Sequence, residues 1–295
     1  MGACARPLGA HALKPSSQIR ALPSTDPEYP FWLRKVSDRP PVLYVRGQLP
    51  PDRRSIACVG TRFPSIFGQL VAPRLAGFFA EQGWSIVSGL ARGVDTLCHE
   101  AALRAGGHTV AVLANGLDTV YPRQNSELAD RILAQGGALL SEQPPGTPAL
   151  PKHLTRRNRI QSGMSVATIV MQTDIVGGTM HTARYTLLQG RLLAAPVPQG
   201  VHAAVPKSQG LLALTQRTGT DLGHLLEAKG ALAALLEQHF ANHPVAMPIR
   251  GNGDYAKLLD MLERLLDSTP YPPPDAATAP EKQLELSLRT LKENP

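Results

Sequence analysis

Short apolar runs recur through the middle of the chain, and glycine, proline or asparagine closes them. They are SIACVG at 55–60, WSIVSG at 84–89, HTVAVLA at 108–114, ALLSE at 138–142, ATIVMQ at 167–172 and LLAAPV at 192–197. Near-continuous apolar runs are typical of strands in a parallel sheet that is covered on both faces. A further strand is predicted at 42–45.

Helical patterns separate these runs, at 66–82, 95–105, 125–135 and 179–189. Strand and helix in alternation predict an α/β fold, a doubly wound and mostly parallel Rossmann-like sheet with right-handed crossovers. Two amphipathic helical stretches follow, at 224–240 and 254–267, with ANHPVAMPIRGNG between them. We therefore expect four segments: a flexible tail at 1–25, the Rossmann-like domain at 26–222, a small helical extension at 223–268, and a proline-rich linker with a terminal helix at 269–295.

Length and composition limit the class of protein. A chain of 295 residues can bury a substantial core. Its three cysteines have no metal-ligand spacing and leave one thiol unpaired, which argues against a disulfide framework or a zinc site. No run approaches the roughly 20 apolar residues of a membrane span. We expect a soluble cytoplasmic protein with no membrane association, no metal and no cofactor.

The positive charge is concentrated in the middle of the chain. Residues 143–220 carry eight basic side chains and the single acid Asp174, whereas 221–295 carry seven basic and eleven acidic side chains. The cluster KHLTRRNR at 152–159 places four Lys or Arg side chains within eight residues, which favours binding of an anion. The alternatives are solvated arginines on helix faces, or pairing with the acidic tail.

Small and polar residues follow three of the predicted strands. In open α/β sheets, ligands collect beyond the carboxyl ends of the strands, where helix N-termini present free N–H groups. The residues concerned are Gly60, Thr61, Arg62 and Ser65 after the first run, Ser88, Gly89, Arg92 and Gly93 after the second, and Gly177, Gly178 and Thr179 after the fifth. Each loop alone is more simply a tight turn with a helix cap, but together they predict one phosphate-sized concavity. No GxGxxG fingerprint is present.

Several of these segments resemble one family in composition and order. They are YP at 29–30, LYVRG at 43–47, VGTR at 59–62, SGLARGVDTLCHEAAL at 88–103, GGHTVAVLANGLDTVYPRQN at 106–125, LLSEQPPG at 139–146, RRNRIQSG at 156–163 and GGTMHTA at 177–183. Residues 29–220 resemble the DNA-processing protein A family, also called Smf.

The resemblance implies a binding protein and not an enzyme. Members coat and protect single-stranded DNA during natural transformation and help to load the RecA recombinase, and they form homodimers. Position by position, the resemblance implies that phosphates meet Gly60, Arg62, Ser88, Gly89, Arg92, Arg157, Asn158 and Arg159. The neighbouring cations Lys152 and Arg156 are expected on the same groove.

The chain departs from the family pattern at some positions, which suggests a divergent member. Leu154-Thr155 replaces the usual Phe-Pro, Gln172 replaces an acid, and Gly177-Gly178 replaces a serine-glycine pair. We expect no counterpart of the N-terminal helical domain of some relatives, and the segment after 223 does not resemble their winged helix.

Two other functions stay open, a nucleotide-binding sensor and a nucleotide phosphoribohydrolase. The segment VGGTMHTAR has the glycines of such a hydrolase loop but no acid to act as general acid or base, which argues against catalysis. Asp95 and His99, one helical turn apart, are more simply a helix cap and a packed histidine than an acid–base pair. Phe63 and Tyr121 border the loops and could stack on a base.

Overall fold

The computed structural model describes residues 18–269, and these form a nine-stranded sheet with helices on both faces. The strands are β1 Arg20–Pro23, β2 Val42–Gly47, β3 Ser55–Gly60, β4 Ser85–Ser88, β5 Thr109–Val112, β6 Ala138–Ser141, β7 Ala167–Gln172, β8 Leu192–Pro196 and β9 Met247–Ile249. Their spatial order is β1-β2-β6-β5-β4-β3-β7-β8-β9. Neighbours from β6 to β9 are parallel, whereas β2 pairs antiparallel with both β1 and β6.

The described residues also form ten α-helices. They are α1 Phe31–Arg34, α2 Ile66–Glu81, α3 Val94–Arg104, α4 Ser126–Ala134, α5 Pro151–Gly163, α6 Gly178–Leu188, α7 Gln209–Gln216, α8 Gly219–Leu225, α9 Ala231–Phe240 and α10 Asn252–Asp267. The doubly wound, mostly parallel α/β fold predicted from the sequence is confirmed.

The core lies on both faces of the sheet, because successive side chains of a strand point in opposite directions. On β3, Cys58 packs into the cluster that α2, α3 and α10 cover, and Val59 packs into the cluster beneath α6 and α7. Every residue of β4 to β8 is buried. This burial explains why these strands are visible in the sequence as apolar runs.

The direction of winding reverses at β3. From β3 the chain proceeds through β4, β5 and β6 on one side, and then returns through α5 to place β7 on the other side of β3. Two crossovers therefore diverge between β3 and β7, and they leave a crevice at the carboxyl ends of these strands.

The segment expected to be a helical extension also completes the sheet. β9 pairs in parallel with β8, and α10 buries Leu258, Met261 and Leu262 in the same cluster as Phe79 of α2. The helix expected at 224–240 is two helices, α8 and α9, separated by a turn in which Glu227 and Gly230 adopt positive φ angles. The sequence pattern missed β9 because the strand is only three residues long and contains Pro248.

At the other end of the chain, part of the expected tail is ordered. Arg20–Pro23 is an edge strand paired with β2, and Leu22 is buried in the core. A flexible tail over 1–25 is therefore wrong for these residues. Residues 1–17 and the terminal helix expected near the C-terminus lie outside the described residues.

Candidate functional site

A concave pocket of about 430 Å³ opens at the carboxyl ends of β3 and β7. The turn after β3, the helix α5 and the turn between β7 and α6 form its walls. The lining residues are Val59, Gly60, Thr61, Arg62, Phe63, Ala91, Asp95, Leu154, Thr155, Arg157, Asn158, Gln161, Thr173, Asp174, Gly177, Gly178, Thr179 and Thr182. The pocket thus lies at the switch point of the sheet, where open α/β folds bind ligands.

Arg157 occupies the buried part of this pocket. It comes from the middle of α5, and its guanidinium donates a hydrogen bond to the carbonyl oxygen of Val112 at the end of β5. A side chain at Gly89 would collide with this guanidinium, so the turn after β4 needs glycine there. Burial lowers the pKa of Arg157 from its usual value, the neighbouring carboxylate of Asp95 opposes that shift, and the positive charge of Arg62 adds to it.

Asp95 holds the turn after β4 in place. Its Oδ2 accepts hydrogen bonds from the backbone N–H groups of Gly89 at 3.1 Å and Ala91 at 3.2 Å. Burial raises the pKa of this carboxyl, and Arg157 opposes the shift. The Asp95 carboxylate therefore accepts hydrogen bonds from N–H groups that were expected to bind a phosphate. The prediction that the N–H groups of residues 88–93 bind phosphate is wrong for Gly89.

None of the other predicted residues of this turn lines the pocket. The Ser88 hydroxyl is buried and donates to the carbonyl oxygen of Cys58 at 2.7 Å. Gly93 has φ +79° and packs against the backbone of Arg62. Arg92 is exposed on the same turn and does not line the pocket.

The amino end of α6 supplies the wall that best suits an anion. Gly178 and Thr179 form the first turn of the helix, and Asn158 donates from Nδ2 to the Gly178 carbonyl oxygen at 3.3 Å. Backbone N–H groups in a first helical turn have no acceptor within the helix and carry partial positive charge. This arrangement is typical of phosphate and carboxylate sites.

The turn after β3 forms part of the rim of the pocket. Gly60, Thr61 and Arg62 line the pocket, and Arg62 is exposed to solvent. Ser65 does not line it. The Ser65 N–H donates to Oε1 of Gln172 at 2.9 Å, and Gln172 Nε2 donates back to the Ser65 hydroxyl at 2.6 Å. This reciprocal pair joins the start of α2 to the end of β7.

Arg159 belongs to a different part of the molecule. Its side chain is buried, 2.6 Å from a carboxylate oxygen of Glu142 and 3.3 Å from one of Asp38. Successive residues of an α-helix are rotated by about 100°, so Arg157 and Arg159 leave α5 about 200° apart. The expectation that both face one phosphate groove is wrong for Arg159, because the RNR motif lies in a helix that directs the two side chains to different faces.

The two remaining cations of the cluster lie outside the pocket lining. Arg156 is exposed, 3.7 Å from Glu142, and Lys152 is exposed in the first turn of α5. Of the predicted site residues, the structure brings together in the pocket Gly60, Thr61, Arg62, Arg157, Asn158, Gly178 and Thr179.

Sequence reasoning missed some of the lining residues. Asp174 lies on the rim, with a carboxylate oxygen close to the Cα atom of Gly177, and Leu154 and Gln161 line the pocket from α5. The signal for Asp174 was its position as the single acid between 143 and 220. Leu154 and Gln161 could have been found only by recognising α5 as a helix and placing them on the same face as Arg157.

The pair Asp95 and His99 is not arranged as an exposed acid–base couple. His99 is fully buried, and its Nδ1 hydrogen-bonds to the hydroxyl of Thr109 at 2.7 Å. Cys58 and Cys98 are buried free thiols. Within residues 18–269, no group of three or more His, Cys, Asp or Glu side chains is placed to hold a metal ion, and no helix has the length and apolar character to cross a membrane.

A profile of the family described as DNA recombination-mediator protein A matches residues 20–224. The chain is 42% identical over 175 residues to DNA processing protein DprA of Bacillus subtilis, which covers 59% of either chain. It is 41% identical over 181 residues to protein Smf of Escherichia coli, covering 61% of this chain and 48% of that one. The chain therefore matches only about half to three fifths of the length of these two relatives.

Two solved structures share the fold. DNA processing protein A from Streptococcus pneumoniae superposes with a TM-score of 0.63 at 28% identity, covering 82% of this chain and 74% of that one. DNA processing protein A from Helicobacter pylori, described by its single-stranded DNA binding mode, gives a TM-score of 0.63 at 25% identity and covers 84% of this chain and 99% of that one.

Proposed function

The chain belongs to the DNA recombination-mediator protein A family, and we propose from this premise that its switch-point pocket binds the backbone of single-stranded DNA without regard to sequence. Two observations support the proposal. The pocket joins a helix N-terminus to two arginines, and the Helicobacter pylori relative with the same fold is described as binding single strands.

The observation that carries the proposal is the convergence of Arg62, Arg157 and the first turn of α6 on one concavity. Guanidinium groups and main-chain N–H groups are the donors that phosphate oxygens prefer. Phosphate contacts fix the position of a strand but carry no sequence information. The charge of Arg157 is balanced in part by Asp95, so the exposed Arg62 and the helix terminus supply most of the attraction.

A salt titration with a fluorescent oligothymidine tests this proposal. If the site neutralises about two phosphates, the slope of log K against log salt concentration is about −1.4 for a single strand. Arg62→Ala removes one exposed cation from the rim, so we expect weaker binding to every sequence and a slope that is shallower by about 0.7. Fluorescence anisotropy at four salt concentrations measures both quantities.

Arg131→Ala is the matched control for this titration. Arg131 is an exposed arginine on α4 and does not line the pocket, so its removal leaves the slope of the wild-type protein. If Arg62→Ala behaves like Arg131→Ala, the pocket is not the site. Equal affinity for duplex and single-stranded DNA would also contradict the proposal.

The pocket holds its ligand without breaking bonds in this proposal. The helix α6 has the sequence GTMHTARYTLL and carries no carboxylate that could act as a general acid or base. Of the two carboxylates that line the pocket, Asp95 accepts hydrogen bonds from the Gly89 and Ala91 N–H groups and Asp174 lies on the rim. Incubation with nucleoside monophosphates is expected to release no free base, as measured by chromatography. Thermal stabilisation by mononucleotides in the absence of oligonucleotide binding would instead favour a nucleotide sensor.

Two finer proposals go beyond strand binding, and the family description as a recombination mediator supports the first of them. We propose that the protein loads RecA onto the strand that it binds and that it acts as a homodimer. The first predicts faster RecA assembly on single strands coated with a single-strand-binding protein. The second predicts twice the monomer mass in sedimentation equilibrium at micromolar concentration.

A further inference from the structure

We propose that Phe63 is a stacking platform for a nucleotide base, so that the pocket selects unpaired strands by their bases and holds them by their phosphates. This inference rests on the proposed function. It adds a residue that recognises the base to a site whose other contacts recognise only the backbone.

Phe63 is exposed to an unusual degree for a phenylalanine. The residue is 64% exposed, and it lines the pocket directly after Arg62. Exposure of a large apolar ring to water is unfavourable, by up to roughly 2–3 kcal/mol for a full side chain. A ring that stays exposed beside a binding pocket is therefore a candidate contact for a ligand.

The loop that carries Phe63 is fixed at both of its backbone polar groups. The Phe63 N–H donates to the Thr61 hydroxyl at 3.2 Å, and its carbonyl oxygen accepts a hydrogen bond from the ammonium group of Lys207. The Lys207 Nζ also lies 5.5 Å from the centre of the Phe63 ring. Because these contacts hold the backbone in advance, a base can stack on the ring without the entropic cost of ordering the loop.

The pocket has apolar and polar walls that match the two halves of a nucleotide. Phe63 and Leu154 contribute the apolar lining, whereas Arg157, Gly178 and Thr179 contribute the donors. The volume of about 430 Å³ falls within the range of about 300–1,000 Å³ for small-ligand sites. One nucleotide unit can therefore place its phosphate at the amino end of α6 and its base against Phe63.

Stacking of a base on Phe63 explains why the site would prefer single-stranded DNA to duplex DNA. Every base has a π-face, so stacking on an aromatic ring tolerates any sequence. A base in a duplex already stacks on its neighbours and pairs with its partner, and it must leave the helix to reach Phe63. The cost of that step disfavours duplex DNA even where the phosphates could be held.

The test compares an oligothymidine with an abasic oligonucleotide of the same length, in which tetrahydrofuran units replace the nucleosides. Phe63→Ala is expected to weaken binding of the oligothymidine by about fivefold to 160-fold, which is the range for loss of one base–aromatic stack. Binding of the abasic strand is expected to stay unchanged, because its phosphates meet the same donors. Fluorescence anisotropy at one salt concentration measures both affinities.

Ile66→Ala is the matched control. Ile66 is 67% exposed, lies three residues after Phe63 and does not line the pocket, so its loss leaves both affinities unchanged. If Phe63→Ala has no effect on either strand, or weakens both equally, the stacking inference is overturned. If wild-type protein binds neither strand, the proposed function fails as well, whereas binding that depends on Arg62 but not on Phe63 leaves the function standing.

Phe63→Trp provides a fluorescence signal that reports directly on base stacking at this position. The two native tryptophans, Trp32 and Trp84, are at most 1% exposed, so a tryptophan at 63 would be the accessible one. We expect oligothymidine to quench its fluorescence and the abasic strand to leave it unchanged. Equal quenching by the two strands would show that the ring senses the backbone and would overturn the inference.

Discussion

Arg159 has a different role in the structure from the one that its sequence motif predicts. As part of the motif RNR it resembles a phosphate ligand, but its guanidinium is 3% exposed and lies between Glu142 and Asp38. Its cation joins Asp38, in the turn between α1 and β2, to Glu142, which directly follows β6. We therefore assign it a structural role, and the proposed anion site retains Arg62 and Arg157.

Arg62→Ala and Arg159→Ala are expected to have opposite effects. Loss of Arg159 removes the closer of the two cations that pair with the half-buried carboxylate of Glu142 and leaves the exposed Arg156 at 3.7 Å, which costs about 3 kcal/mol of unfolding free energy. Loss of the exposed Arg62 changes stability by no more than about 0.5 kcal/mol. Urea denaturation measures the unfolding free energy of both variants. Oligonucleotide affinity per folded molecule measures the weaker DNA binding that we expect of Arg62→Ala. A stable Arg159→Ala protein with weak DNA binding would contradict this assignment.

The glycine loops illustrate how much of the site was accessible from sequence. Gly60, Thr61, Arg62, Gly178 and Thr179 were placed correctly in one pocket, because the carboxyl ends of adjacent parallel strands share an edge of the sheet. The turn after β4 was misjudged because nothing in a sequence shows whether its amides are free.

Among the elements, the buried strands were predictable and α5 was not. The strands β3 to β8 are apolar on both faces, so their residues form continuous runs. The buried residues of α5 include Arg157, Arg159 and Ser162, whose side chains make hydrogen bonds or ion pairs with Val112, Glu142 and Gln189. A helix of this kind has no apolar periodicity, and only tertiary contacts reveal it.

The contact between α3 and β5 makes stability depend on pH. The imidazole of His99 is fully buried between these elements, and burial, with a smaller contribution from the charge of Arg157, lowers its pKa to about 3. The unfolded chain takes up a proton near pH 6.5, whereas the folded chain does not until about pH 3. Stability from this group is therefore present above pH 6.5 and is lost as the pH falls towards 3.

We expect this group to remove about 2–3 kcal/mol of unfolding free energy between pH 6.5 and pH 4.5. His99→Leu has no titrating ring, so its unfolding free energy should fall less over the same interval. Urea denaturation of both proteins at the two pH values gives the comparison. Identical losses in the two proteins would mean that His99 is charged or exposed in the folded state.

On the scale of the whole molecule, fewer of the basic side chains of residues 143–220 are exposed than the sequence suggests. Of its eight basic residues, Arg157, Arg159 and Arg191 are buried. The Arg191 guanidinium lies 4.9 Å from the centre of the Trp32 ring and donates to the Trp32 carbonyl oxygen, and burial lowers its pKa to about 9. A count of charges along the chain therefore overstates the attraction for DNA.

The C-terminal elements are integral to the fold, although the family profile ends at residue 224. β9 extends the sheet beside β8, and α10 buries Leu258, Leu262 and Leu265 against the main core. A chain that ends at residue 224 is expected to lose cooperative unfolding, because it exposes β8 and the face of the sheet under α10. Circular dichroism during thermal unfolding measures this loss.

A chain that ends at residue 269 is the control, since it keeps every described strand and helix. Within that chain, Leu262→Ala is expected to cost about 2–5 kcal/mol, as is usual for a fully buried leucine. Cooperative unfolding of the chain that ends at 224, at the temperature of the control, would show that α10 is dispensable.

The position of Thr269 offers a practical route to single-molecule work. Its carbonyl oxygen accepts a hydrogen bond from Arg53, which precedes β3, whereas the pocket opens beyond Gly60 at the opposite end of that strand. Six residues of strand separate the two ends by about 20 Å. A linker to a glass surface or bead, attached at residue 269 of the shortened chain, would leave the pocket facing the bulk solution, where its proposed binding to a stretched DNA molecule could be measured.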